Sequence, residues 1–288
     1  MSISAPPSRI GAAALPVFLL LSPCLAQSTS YRVLQRQVIE SRLQKYARSN
    51  REREATLKQM LAESGCKDHL SEQRVKGSKL PNVICSLQGS SERDIIVAAH
   101  FDHVSEGDGV VDNWSGAALL PSLYETLKVA GRKHNYLFIG FTDEEPGEVG
   151  SAYYVKQMTK QQVANADAMV NMDSLGLAPT KVWVSHSDKQ LVSLLVLLSR
   201  RLNMPITGAN VEKIGSSDSE QFAERKIPRI TIHSLTQETW NAGVLHTSKD
   251  KLSAIHLDEY YQTYQLLAAY LVVLDQLPAR QEPGGKND

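Results

Sequence analysis

The sequence lacks a surplus of either charge, because its 31 lysine and arginine residues balance its 31 aspartate and glutamate residues. Without a basic excess, neither nucleic acid nor an anionic membrane is expected as a partner. Aromatic residues make up only 6% of the chain, but 42% of its 288 residues are hydrophobic, which is enough to bury a full core. No internal repeat or useful linker divides the chain, so the sequence predicts a single domain.

Long hydrophobic runs are also missing. The apolar run AAALPVFLLL at residues 12–21 is about half as long as a membrane-spanning helix requires. One arginine precedes this run and the small residue Ala26 follows it, which is the layout of a secretory signal peptide. We therefore predict a signal peptide over residues 1–26 and a secreted or periplasmic protein without membrane contact after cleavage. The alternatives are a short membrane anchor and a lipoprotein signal at Cys24, although Pro23 stands where a small residue is expected.

Cysteine is scarce: the chain has three, and signal cleavage would remove Cys24. The remaining two, Cys66 and Cys85, flank a predicted hairpin. Disulfides persist in the compartments that exported proteins occupy, so a bridge between these two residues is plausible. Two buried free thiols are the alternative.

The pattern of apolar residues changes after Gly65. Residues 27–65 carry apolar residues at three- and four-residue steps, which predicts a helical segment packed on the core. Beyond it, short apolar runs alternate with amphipathic stretches. The predicted strands are Asn82–Leu87, Ile95–Ala99, Tyr136–Phe141, Ala168–Met172, Lys181–Ser185 and Arg229–His233. The predicted helices are Ser115–Val129, Ser151–Met158, Gln190–Leu202, Asp218–Arg225 and Leu257–Leu274.

This alternation predicts an α/β fold, a three-layer α/β/α sandwich with a mixed, mostly parallel central sheet. The catalytic domain is expected over residues 66–277, followed by a disordered polar tail at residues 278–288. In such sheets, ligands bind outside the carboxyl ends of the strands. Acidic and histidine side chains follow three predicted strands, and two more lie on loops. They are His100, Glu144 with Glu145, Asp173, and the loop residues Asp112 and His246.

Each candidate also has a simpler interpretation. His100 could be a strand-end histidine bonded to backbone, and Asp112 could cap the helix that begins at Ser115. Glu144 and Glu145 could form a solvated acidic loop, but two adjacent ionised carboxylates repel each other unless a cation is present. One can hold a metal while the other handles the proton of a water molecule. A carboxylate at Asp112 could also be shared between two cations and reduce their repulsion.

Together, these residues resemble the secreted dizinc aminopeptidases, the bacterial leucyl aminopeptidase type of zinc exopeptidase. The resemblance rests on the segments AAHFDH, GVVDNWSGAA, FTDEEPGEVGSAYY, NMDSLG and LHTSKDKL. It implies two Zn²⁺ ions per chain and peptide substrates with a free amino terminus. It also implies roles for seven residues: His100 and Asp173 on one zinc, Glu145 and His246 on the other, Asp112 as the bridge, Glu144 as general base and Asp102 orienting His100.

The sequence departs from the family pattern at Ser219, where a histidine is usual in a Ser-Asp-His segment, and this puts the substrate preference in doubt. A glutaminyl cyclase with one zinc is the second interpretation. Those enzymes place a tryptophan before the late metal histidine, where this chain has Leu245, with Trp240 five residues away. A catalytically inactive, receptor-like domain is the third. A carboxypeptidase or dipeptidase would carry an inserted second domain, for which the chain has no room.

Overall fold

The computed structural model describes residues 31–211 and 215–278. The predicted signal peptide and residues 279–288 of the predicted tail lie outside these ranges. Within them, no helix combines the length and the apolar character needed to cross a membrane.

Eight strands and ten α-helices make up the described fold. The strands are β1 (Leu70–Gln73), β2 (Asn82–Leu87), β3 (Asp94–His100), β4 (Asn135–Phe141), β5 (Ala166–Met172), β6 (Lys181–Val182), β7 (Thr207–Gly208) and β8 (Arg229–His233). The helices are α1 (Arg36–Leu43), α2 (Asn50–Leu61), α3 (Ser115–Ala117), α4 (Leu120–Leu127), α5 (Val149–Gln157), α6 (Lys160–Asn165), α7 (Lys189–Leu202), α8 (Ser219–Glu224), α9 (Gln237–Asn241) and α10 (Leu257–Leu274).

The strands form one mixed sheet in the order β1-β2-β4-β3-β5-β8-β6-β7. The central strands β4, β3, β5 and β8 run parallel, and β2 and β6 pair antiparallel with the two sides of this group. Helices cover both faces of a parallel sheet, so its strands are apolar at nearly every position. In β3, every residue from Ile95 to His100 is buried. The predicted mixed, mostly parallel sheet is confirmed.

Helices cover both faces of the sheet, which confirms the three-layer arrangement. On one face, α1, α2, α4, α7 and α10 pack against Ile95, Val97 and Ala99. On the other face, α5 and α8 contribute Val155 and Phe222 to a smaller cluster with the intervening strand residues. Successive side chains of β3 point to opposite faces of the sheet, so they contribute to two separate core layers.

The helical segment before Gly65 packs on the larger core cluster. Ser49 caps α2 by accepting a hydrogen bond from the Glu52 amide, and α2 buries Leu57, Met60 and Leu61. After α2, Cys66 forms a disulfide bond with Cys85 in β2, with 6.1 Å between their Cα atoms. This segment is therefore tied covalently to the sheet.

Some local predictions are wrong. The strand predicted over Lys181–Ser185 ends at Val182, and the chain then turns so that the rings of Trp183 and His186 stack 4.2 Å apart. The short elements α6, α9 and β7 were not predicted, because five- or six-residue helices and a two-residue strand leave little periodic signal.

The His134 side chain is buried at the edge of the sheet where β4 begins. Its Nε2 lies 3.0 Å from Asp167 and its Nδ1 lies 3.3 Å from Asp275, while Arg93 pairs with Asp167. Burial alone would lower the pKa of His134, but the hydrogen bonds to the two carboxylates outweigh this and raise it to about 9. Asp94 also lies close to this group.

Candidate metal centre

Three of the predicted site segments follow neighbouring parallel strands. His100 ends β3, Glu144 and Glu145 follow β4, and Asp173 follows β5. Because β3 lies between β4 and β5, the ends of these strands place all three segments at the same edge of the sheet. The structure brings together the side chains that the strand-end argument predicts.

Two further residues reach this edge from loops. Asp112 lies in an irregular turn between β3 and α3, and His246 lies between α9 and α10 with a φ of 57°. The Asp112 carboxylate places one oxygen on each side of the site: Oδ1 is 3.3 Å from His100 Nε2, and Oδ2 is 3.1 Å from His246 Nε2. This position between two histidines is the geometry that a bridging ligand requires.

The remaining side chains divide into two groups around Asp112. His100 Nε2 lies 3.9 Å from Asp173 Oδ1 and 3.8 Å from Glu144 Oε2, whereas His246 Nε2 lies 2.9 Å from Glu145 Oε2. Tetrahedral zinc holds nitrogen and oxygen ligands at about 2.0–2.2 Å, so two ligand atoms on one ion stand roughly 3.3–3.6 Å apart. The distances within each group are close to this spacing.

Two buried atoms at the centre also have no hydrogen-bond partner in the described part of the chain. They are His100 Nε2 and Glu145 Oε1. Burying a polar atom without a partner is costly, so such atoms call for a ligand. Imidazole nitrogen and carboxylate oxygen are ligands that suit zinc. The residues present therefore fit a divalent metal.

Asp102 supports the centre through contacts with the backbone of Glu144 and Glu145 and with the ring of His100. Its carboxylate accepts hydrogen bonds from the Glu144 amide at 3.0 Å and from the Glu145 amide at 3.2 Å. The Asp102 carbonyl and carboxylate oxygens also lie 3.2 Å and 3.5 Å from His100 Nδ1. A proton on Nδ1 can be donated to Asp102, which leaves the Nε2 lone pair directed at the metal position.

The carboxylates shift one another's pKa values strongly. Burial and the neighbouring acidic groups raise the pKa of Glu144 and raise that of Asp173 to about 7, although His100 opposes both. Burial also opposes ionisation of Asp112, but the neighbouring His100 and His246 rings outweigh it and lower its pKa. Bound cations would favour the ionised form of every carboxylate here, because they replace repulsion with attraction.

A cavity of about 320 Å³ opens beside these residues. Five of the candidate residues, Asp112, Glu144, Glu145, Asp173 and His246, line one side of it. Its other walls come from Trp183, Val211, Ser216, Thr231, His233, Leu235, Trp240 and Leu245, together with Gly147, Ser174 and Gly215. The cavity is thus lined by carboxylates and also by the apolar side chains of Trp183, Val211, Leu235, Trp240 and Leu245.

Sequence reasoning missed Asp250. Its buried carboxylate accepts hydrogen bonds from the amides of Val111 at 2.7 Å and Asp112 at 3.1 Å, so it fixes the backbone of the bridging residue. Burial raises the pKa of Asp250 to about 6, although the bond from Val111 opposes this. The sequence feature that could have identified Asp250 is its place four positions after His246 in the same short loop.

Ser219, the departure from the family pattern, lies at the start of α8. Its hydroxyl is 2.7 Å from the Thr231 hydroxyl and 3.3 Å from the Ser217 hydroxyl, and Ser217 also accepts a hydrogen bond from Asn171 at 2.8 Å. Because Thr231 lines the cavity, this buried hydroxyl network lies directly behind part of the cavity wall.

Comparison with known protein families shows to which family the chain belongs. Residues 82–271, about two thirds of the chain, match the family model described as peptidase family M28. The chain belongs to peptidase family M28. The matched residues include every predicted metal ligand, the predicted base and Asp250, whereas α1 and α2 lie outside them. The predicted resemblance to zinc aminopeptidases is confirmed at the level of the family.

Individual proteins are similar to this chain in sequence or in fold. Aminopeptidase YwaD of Bacillus subtilis is 27% identical over 182 residues, which cover 61% of this chain and 40% of that protein. The chain thus spans less than half the length of this curated relative. The structure of a zinc aminopeptidase from Bacillus subtilis superimposes with a TM-score of 0.62 at 21% identity, covering 71% of this chain and 51% of that one. A glutaminyl cyclase from an Acidobacteriales bacterium gives a TM-score of 0.73 at 14% identity, covering 86% and 97%.

Proposed function

We propose that this M28 protein is a metallo-aminopeptidase, which removes the first residue from peptides with a free amino terminus and binds two zinc ions. The observation that carries the proposal is the position of the Asp112 carboxylate, with one oxygen near His100 and the other near His246. A carboxylate shared in this way serves two cations, and one metal site alone would not require it. Aminopeptidase relatives within the same family support the choice of reaction.

In this proposal, His100 and Asp173 hold one zinc, Glu145 and His246 hold the other, and Asp112 bridges them. When bound, zinc supplies Lewis acidity that polarises the substrate carbonyl and lowers the pKa of water. The fit rests on the ligand types, their spacing and the two unpartnered buried atoms of His100 and Glu145.

Glu144 is the proposed general base. Its carboxylate lies on the cavity wall beside Asp173, and its backbone amide is held by Asp102. From this position Glu144 accepts a proton from the attacking water molecule and returns it to the leaving amine, which balances the proton over the reaction. The wall of carboxylates also attracts the positively charged amino terminus of the substrate.

The cavity residues other than the carboxylates favour an uncharged N-terminal side chain. His233 donates from Nε2 to the Ala209 carbonyl at 3.2 Å and accepts the Leu235 amide at Nδ1, so both ring nitrogens are already bonded. Burial lowers the pKa of His233 to about 4, and the ring is neutral at pH 7. Trp183 and Leu245 add apolar surface. We therefore propose that leucine-sized or aromatic side chains bind here and that acidic and basic ones are rejected.

A glutaminyl cyclase is the second candidate, because a cyclase of nearly the same length shares the fold over 86% of this chain. The reaction products distinguish the two functions. Free aminoacyl p-nitroanilides should be hydrolysed and their N-acetylated forms should not, and peptides beginning with glutamine should release glutamine. Equal cleavage of free and blocked substrates would rule out the aminopeptidase. Pyroglutamate as the main product would favour the cyclase.

We further propose that the mature protein is secreted or periplasmic. The apolar segment at residues 12–21 and the bond between Cys66 and Cys85 support an exported protein. N-terminal sequencing of the protein recovered outside the cytoplasm should give Gln27 as the first residue. Recovery of the intact chain with its original methionine in the cytoplasm would contradict export.

A further inference from the structure

Arg53 lies on α2, outside the family-matched residues, yet its guanidinium is completely buried beside the metal centre. It donates hydrogen bonds to four backbone carbonyls: Ala47 at 2.8 Å from Nε, Phe101 at 3.3 Å from Nη1, Gly109 at 3.0 Å from Nη2, and Asp108, also from Nη2. Arginine is the side chain whose rigid, planar donors can hold several acceptors at once.

Three of these carbonyls belong to the two chain segments that carry ligands. Phe101 stands between His100 and Asp102, and Gly109 precedes Asp112 by three residues. The Arg53 side chain therefore joins the end of β3 to the start of the turn that presents the bridging carboxylate.

The protein backbone is adapted to this contact at Gly109, which has a φ of 54°. A Cβ atom there would come within 3.0 Å of Arg53 Nη2 and within 2.4 Å of the His103 Cβ atom. Only glycine accommodates this close approach without a shift. On its other side, the guanidinium carbon lies 5.6 Å from the centre of the Trp114 ring, in the same irregular turn as Asp112.

The charge of Arg53 acts on the centre without a direct ion pair. Within residues 31–211 and 215–278, no carboxylate lies at salt-bridge distance from it. Burial lowers the pKa of Arg53 to about 10, and the carboxylates of Asp250, Asp102 and Asp112 oppose this shift. Arg53 is therefore charged at neutral pH and offsets part of the acidic cluster through space.

We propose that Arg53 is a positioning residue of the metal centre. By holding both ends of the loop from Phe101 to Gly109, it sets where His100 stands relative to Asp112, and hence the spacing of the two proposed zinc sites. The first residue of the same helix reinforces this hold: the Asn50 amide group donates to the His103 carbonyl at 3.3 Å and accepts the His103 amide at 3.1 Å. Only the zinc measurement below rests on the proposed function.

The test compares Arg53→Lys with Met60→Ala. Lysine keeps the positive charge but cannot reach four carbonyls with one ammonium group. Met60 is a buried residue of the same helix that belongs to the hydrophobic core, so Met60→Ala destabilises α2 without touching the loop. Both variants are measured below the lower of their two melting temperatures.

Hydrogen exchange of the Val111 and Asp112 amides reports on the position of the bridging segment. In Arg53→Lys these amides should exchange at least about tenfold faster than in the wild type, because an attachment of several hydrogen bonds is lost. In Met60→Ala they should stay near the wild-type rate. Unchanged protection in Arg53→Lys, or an equal loss in both variants, would overturn the proposal.

Zinc affinity provides a second readout, by competition with a chelator. The chelator concentration that removes half of the zinc should fall about 10- to 100-fold for Arg53→Lys, as for other residues that orient metal ligands, and hardly at all for Met60→Ala. An equal decrease in this chelator concentration for the two variants would show that Arg53 has only a structural role. A wild-type protein that binds no zinc would refute the metal centre, and the exchange result would still decide the role of Arg53.

If Arg53→Lys does not fold, Asn50→Ala tests the same attachment from a half-buried position. It removes the two bonds to His103, so exchange in the loop from Phe101 to Gly109 should rise about two- to tenfold. No change in that loop would contradict the proposed role of α2.

Discussion

Replacing Glu144 with glutamine should separate the proton chemistry from metal binding. Among the described residues, no hydrogen bond to the Glu144 carboxylate is seen, and His100 Nε2 lies 3.8 Å from its Oε2. The backbone amide that Asp102 holds is unaffected by the change. Glutamine should therefore fit without loss of fold or zinc but cannot accept a proton. General bases contribute about 10²–10⁴-fold, so kcat should fall by that factor, or about 3–5 kcal/mol of barrier.

The neighbouring Glu145→Gln variant should behave differently. The Glu145 carboxylate lies 2.9 Å from His246 Nε2, and its other oxygen is buried without a partner, as expected of a ligand. This variant should lose zinc. Glu148→Gln is the matched control, because Glu148 is a buried acid in the same loop whose carboxylate accepts a hydrogen bond from Gln221 at 2.6 Å, which glutamine can also accept.

The assay combines steady-state hydrolysis of a free aminoacyl p-nitroanilide with zinc analysis of each purified variant. Turnover within about tenfold of wild type in a fully loaded Glu144→Gln protein would refute the general-base role. Loss of zinc in the same variant would instead make Glu144 a ligand, since it also lies within reach of His100 and Asp173. A large loss of activity in Glu148→Gln would show that removing a negative charge anywhere in this loop is sufficient to lower activity.

Three further outcomes are expected. Zinc analysis of the carefully purified protein should approach two ions per chain, and saturation at one would favour the cyclase. Intact mass before and after alkylation should show no free thiol at Cys66 or Cys85, and a gain of two alkyl groups without reduction would contradict the bridge. Because Asp167 and Asp275 raise the pKa of buried His134 to about 9, its stabilising charge is fully present below pH 6.5 and lost as the pH rises through 9. Urea unfolding between pH 6 and 10 should show up to about 3 kcal/mol lost, and His134→Asn should remove that dependence.

The parts of the fold that the sequence predicts well are long and strongly patterned. β2, β8 and α10 begin and end where their apolar residues indicate, because burial on a sheet face or helix stripe leaves a regular period. The candidate ligands His100 and Asp173 were found for the same reason. A polar residue directly after a buried strand is easy to recognise and has a defined place at the sheet edge.

Residues that support the site or the sheet through distant contacts leave no comparable pattern. Arg53 occupies a polar position of a helix with many charges, and only the three-dimensional structure shows that it faces backbone carbonyls. His134 follows two basic residues in the sequence, Arg132 and Lys133, whereas its acidic partners Asp167 and Asp275 lie 33 and 141 residues away. Contacts at such separations depend on the topology of the whole sheet. The candidate ligands and Asp102 could therefore be predicted locally, but Arg53 and Asp250, which hold the backbone of this site, could not.

The disulfide between Cys66 and Cys85 has a consequence for proteolysis. The chain between these cysteines passes through an exposed loop that contains Lys76 and Lys79 and is accessible to a trypsin-like protease. A cut at either lysine would break the backbone between β1 and β2, and so separate α1, α2 and β1 from the other strands of the sheet. The two fragments would nevertheless stay covalently joined, with Arg53 still held against the loop it bonds. A nicked molecule would therefore run as two pieces only after reduction.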